Sequence, residues 1–70
     1  MTTPRTLMRA TATGWRVHHA GKFVGTVDRH PDGGYTYRTS IGSGLTCMGW
    51  NTNRRAAAAR LVRHYEEAAA

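Results

Sequence analysis

Hydrophobic and polar residues alternate through residues 14–41, and two glycine-marked turns divide that stretch into three short segments. Trp15-x-Val17, Phe23-x-Gly25-x-Val27 and Tyr35-x-Tyr37 follow the period of two that marks a half-buried strand. His19-Ala20-Gly21 and Pro31-Asp32-Gly33 each end in Gly, which takes a left-handed backbone cheaply. Both fit three-residue hairpin loops, and Pro31 presets the first angle of the second. Such loops pair His18 with Lys22 and His30 with Gly34. One face of the meander then collects Trp15, Val17, Phe23, Gly25, Val27, Tyr35, Tyr37 and Ile41. The other collects Arg16, His18, Lys22, Val24, Thr26, Asp28, Thr36, Arg38 and Ser40. The first face suits a core and the second, polar and mostly basic, suits solvent or a ligand. Gly25, in the central strand, leaves room for another element to approach closely.

The period changes after residue 50. Asn51, Thr52 and Asn53 are all capable N-caps. Arg54 to about Ala68 is rich in strong helix formers. Ala58, Leu61, Val62, Tyr65 and Ala69 repeat at three/four spacing and form one apolar stripe, small enough in its alanines to approach a sheet closely. Trp50, just ahead of the helix, is expected to staple its start to the core. Between sheet and helix, Gly42-Ser43-Gly44 signals a turn, and Leu45-Thr46-Cys47-Met48 reads as a brief fourth strand or an ordered loop. Residues 1–13 show no clear period and read as a flexible basic tail, with Leu7 and Met8 able to extend the first strand and Arg5 and Arg9 able to act as a basic arm on a nucleic-acid backbone. The expected fold is α+β: a three-stranded antiparallel meander in order 1-2-3, with a short fourth strand as an option, packed on one C-terminal helix. Residues 14–70 form a single β-β-β-α domain. Trp15, Val17, Phe23, Val27, Tyr37, Leu61 and Tyr65 are its expected core.

Seventy residues support one small core, so a partner or self-association through a sheet edge or the helix is compatible with the chain. A single cysteine excludes an intramolecular disulfide and fits a reducing cytoplasm. No apolar run suits a signal peptide or a membrane span. The formal net charge of +6 is the strongest global feature, because clustered positive charge attracts polyanions and steers them at long range. Two arginines at the helix start and two glutamates near its end all oppose the helix macrodipole.

Catalytic and metal chemistry find little support in these residues. No Cys/His pair has the spacing of a structural zinc site, and His18 and His19, being adjacent, point to opposite faces of a strand. Cys47 reads as a small core residue, since no base is placed beside it. The four carboxylates do not pair, and Gly42-Ser43-Gly44 lacks the residues of a phosphate-binding loop. The reading is therefore no enzyme, no cofactor and no metal. What remains is the polar sheet face. Arg16, His18, Lys22, Thr26 and Arg38 are its candidate nucleic-acid contacts, Arg and Lys for phosphates and Arg also for a guanine edge. Leu45, Met48 and Trp50 are the candidate surface for a protein partner.

Trp15-x-Val17, Val24-Gly25-x-Val27, Gly34-Tyr35-x-Tyr37, and Thr52 ahead of Ala56 and Leu61 give residues 14 to about 66 a recognisable arrangement. It resembles the DNA-binding domains of the plant ethylene-response-factor type and the amino-terminal arm-binding domains of tyrosine-recombinase integrases. In that group the exposed sheet face docks in the major groove with the helix behind it. The resemblance implies a stand-alone binder of duplex DNA, contacting it through the five positions named above. In composition and length the chain also looks similar to small proteins of actinobacterial phages, and nine arginines to one lysine fit a high-GC source. That second likeness implies a rival role, an accessory module that binds a host protein. A double-stranded-RNA-binding domain needs a first helix, which the threonine-rich residues 1–13 do not supply.

Overall fold

The computed structural model describes residues 5–41 and 44–69. They form strands β1 (Thr6–Ala10), β2 (Gly14–His19), β3 (Lys22–Arg29), β4 (Tyr35–Ile41) and β5 (Gly44–Asn51), followed by helix α1 (Arg54–Ala69). The strands make one antiparallel sheet in order β1-β2-β3-β4-β5. Helix α1 packs over β3, β4 and β5 on one face, and the other face is left open. The α+β class and the C-terminal helix are as expected, but the three-stranded meander gains a strand at each end.

The first added strand lies within residues 1–13, expected above to be a flexible tail. Thr11 closes a tight turn with its own side chain. Its hydroxyl accepts hydrogen bonds from the Gly14 N–H at 3.1 Å and the Thr13 N–H at 3.4 Å, and its N–H donates to the Gly14 carbonyl at 2.7 Å. A threonine hydroxyl thus holds this turn by hydrogen bonding, whereas glycines of positive φ shape the β2–β3 and β3–β4 turns. β1 then pairs with β2 from Thr6↔His19 to Ala10↔Trp15, which sets Met8 against the core. Residues 1–4 lie outside the described residues. The second added strand, β5, is a full eight residues rather than a brief segment, and of the turn before it Gly42 and Ser43 lie outside the described residues.

The β2–β3 hairpin differs from the expected loop. Ala20 and Gly21 both have positive φ, 52° and 79°, so the loop is a two-residue mirror-image turn closed by His19↔Lys22. That turn matches the natural twist of paired strands, which outweighs the cost of a left-handed alanine. The shift of one residue is absorbed at a bulge, where Val17↔Gly25 is followed by His18↔Phe23 and Val24 is the extra residue. Beyond the bulge every side chain changes face. Val24 is fully buried, whereas Phe23 lies on the open face and is not part of the core. Lys22 moves to the helix side, opposite His19, whose Nε2 lies 3.9 Å from the Glu66 carboxylate. The β3–β4 loop is as expected, with the His30 N–H donating to the Gly34 carbonyl at 3.0 Å.

Val17, Val24, Val27 and Tyr37 from the sheet meet Ala57, Ala58, Leu61 and Val62 from α1 to form the core. Trp15, Tyr35 and Tyr65 are partly buried at its margin. A Cβ on Gly25 would collide with the Arg38 carbonyl and stand 3.0 Å from Leu61 Cδ1, so glycine here permits the close approach of sheet and helix. Of the three candidate caps, Asn53 does the capping: its Oδ1 accepts from the Arg55 N–H at 2.8 Å and the Ala56 N–H at 3.2 Å. Trp50 does not staple the helix start. It pairs with Thr36 on the open face.

Candidate nucleic-acid interface

Strand register, more than strand sequence, builds the open face. Arg9 stands opposite Arg16, Arg16 opposite Thr26, and Thr26 opposite Arg38. These four residues form one row running across four strands. The three arginines are solvent-exposed, and Arg9 and Arg38 are three strand spacings, or about 14 Å, apart. On one side of the row lie Leu7, His18 and Phe23. On the other lie Asp28, Thr36 and Trp50.

Neighbouring aromatics hold part of the row in place. The Arg16 guanidinium lies 4.6 Å from the centre of the Phe23 ring, and His18 meets that ring edge-on at 5.7 Å. Stacking occupies the flat face of a guanidinium and leaves its N–H edges for a ligand. Among the described residues the ion pairs are His19 with Glu66 and Arg63 with Glu67. Arg9, Arg16 and Arg38 therefore have no carboxylate partner among them.

Of the five sequence candidates, the structure brings together Arg16, His18, Thr26 and Arg38. Lys22 is not with them, because the two-residue turn sends it to the helix side. His18 is on the face, but its Nδ1 is buried with no hydrogen-bond partner among the described residues. It packs on Phe23 rather than presenting that nitrogen outward. The sequence reads Arg9 as part of a basic arm for a nucleic-acid backbone within a flexible tail; the structure places it on the sheet, opposite Arg16. Leu7 and Met8 are both apolar, so the segment shows no alternation, and its pairing as a strand depends on the turn chemistry of Thr11.

The second candidate surface does not form one patch. Leu45 is 46% exposed and Trp50 50% exposed, and both are on the open face. They sit at opposite ends of β5, about 15 Å apart at the usual strand rise. The side chain of Met48 lies outside what the structure describes; its backbone forms a bulge between the pairs Tyr37↔Gly49 and Arg38↔Cys47. Trp50 is held firmly despite its exposure. Its Nε1–H donates to the Gly33 carbonyl at 2.9 Å, and its ring covers the place where a Gly34 side chain would be.

Cations also gather on the helix side. Because α1 covers β3–β5, Trp15 on β2 lies at the edge of the core. The guanidinium groups of Arg54 and Arg29 lie over its ring at 4.7 and 5.3 Å. They roof an aromatic that the helix leaves uncovered, beside a groove of about 400 Å³ that includes Met8, Arg55 and Ala58. This group packs on an aromatic as Arg16 packs on Phe23, whereas Arg9 and Arg38 have no aromatic partner among the described residues.

Among the described residues no three His, Cys, Asp or Glu side chains converge as metal ligands, and no helix is long and apolar enough to cross a membrane. No family model matches the chain, and neither a curated protein nor a solved structure does.

Proposed function

We propose that this protein binds duplex DNA through the open face of its sheet. The observation that carries this reading is the row Arg9, Arg16 and Arg38: three exposed cations in register, without acidic partners among the described residues, on a domain of net charge +6. Phosphate contacts of this kind supply affinity and set orientation. Five strands span about 19 Å, wider than the roughly 12 Å major groove. The sheet therefore lies across the groove instead of entering it as the three-stranded domains do. Arg9 and Arg38, about 14 Å apart, reach phosphates on its two sides, with Thr26 between them above the base edges.

A gel shift with mixed-sequence duplex DNA across a salt series tests this reading. Three phosphates neutralised give a slope of log K on log salt of about −2.7. Reversing Arg9 and Arg38 to Glu abolishes the shift and leaves the thermal melt nearly unchanged, since exposed charges contribute little to folding. A wild-type protein that causes no shift at low salt contradicts the reading, as does a double variant that binds like the parent.

The half-exposed Leu45 and Trp50 favour a second reading, an accessory module that docks on a host protein. It predicts that salt leaves binding to that partner largely intact, because apolar contacts are not screened.

A further inference from the structure

Trp50 is a large aromatic that is half exposed and yet anchored by a hydrogen bond and seated on a glycine. A fully solvated indole needs neither the hydrogen bond to the Gly33 carbonyl nor a neighbouring glycine kept bare to seat it. Beside it is a largely apolar recess of about 450 Å³ lined by His30, Asp32, Gly33, Thr36, Gly49 and Trp50. The recess opens on the same face as the arginine row. Thr36, opposite Trp50, is two residues along β4 from Arg38, about 7 Å at the strand rise.

The polar groups at the rim suit a base better than a phosphate. The Asp32 N–H donates to His30 Nδ1 at 3.1 Å, which in the neutral ring leaves the proton on Nε2 as a donor. The Asp32 carboxylate repels phosphate and accepts from amino groups. A flat ring against Trp50, with an amino edge towards Asp32, satisfies both features. Within an intact duplex each base already has its faces covered by neighbours, so the occupant is a base outside the stack.

We infer that the Trp50 recess takes one unpaired nucleobase of DNA whose phosphates lie on the arginine row. This inference rests on the reading above and narrows its ligand to DNA with an unpaired base next to a duplex. Stacking against a fixed aromatic tolerates any base, while the Asp32 carboxylate favours cytosine, adenine or guanine over thymine, which has no amino group.

The full chain is titrated with a blunt duplex and with the same duplex carrying a short oligo-dC overhang. Wild type binds the overhang probe at least fivefold more tightly than the blunt one. Trp50→Ala loses roughly 5- to 150-fold on the overhang probe, the usual cost of a lost stacking partner, and binds the blunt duplex as before. Trp50→Phe keeps most of the preference. Tryptophan fluorescence of the wild type falls with the overhang probe, and that fall is absent in Trp50→Phe, which also serves if Trp50→Ala does not fold. Equal affinity of wild type for the two probes overturns the inference and leaves the arginine reading standing. So does Trp50→Ala matching wild type on both. Failure of wild type to bind either probe overturns the arginine reading, and the inference with it.

Discussion

Gly34 and Thr39 show how single positions set the local structure. Gly34 has φ 75°, and a Cβ there would run into the Trp50 ring. Gly34→Ala should cost about 1–3 kcal/mol through the strained backbone alone, read as a clear fall in the melting temperature. Gly44→Ala is the control: open space surrounds that position, and the melt should hardly move. Thr39 is fully buried opposite the helix, and its Oγ1 has no hydrogen-bond partner among the described residues. A buried hydroxyl without a partner costs about 1–3 kcal/mol. Thr39→Val keeps the shape, removes that cost and should raise the melting temperature; a lower one would mean that the hydroxyl is satisfied.

The β2–β3 hairpin marks where the strands stopped being legible in the sequence. Alternation located β2, β3 and β4, and it put Trp15, Val17, Val27 and Tyr37 on the helix side. It could not distinguish a three-residue loop from a two-residue turn followed by a bulge, because both satisfy Gly21. The choice between them swaps Phe23 for Val24 in the core. Val24→Ala should therefore destabilise more than Phe23→Ala, although it removes fewer atoms; chemical denaturation of the two variants gives the order directly. β1 was illegible because its turn depends on a threonine hydroxyl, and β5 because a bulge at Met48 interrupts its alternation. The helix was legible in its stripe and its cap. Leu61, fully buried, should cost about 2–5 kcal/mol when cut to Ala. Asn53→Ala should cost about 1 kcal/mol for the lost cap.

Among the described residues α1 covers one side of the meander and leaves the other open, and that open side carries cations in register. Arg16, Thr26 and Arg38 could be placed there from sequence, since their alternation and the β3–β4 loop were read correctly. Arg9 and the displacement of Lys22 could not, because each depends on a hairpin whose geometry the composition conceals. The helix side carries cations as well: Arg29 and Arg54 are stacked on Trp15, as Arg16 is on Phe23, and Arg63 is paired with Glu67. The two sides therefore compete for any polyanion, and the proposed function depends on which one touches it. Amide chemical-shift mapping of the isotope-labelled protein, titrated with duplex DNA at low salt, decides this. The account predicts the largest shifts at Arg9, Arg16, Thr26 and Arg38, with Arg60 and Arg63 little affected. Shifts confined to α1 and the surroundings of Trp15 would contradict it.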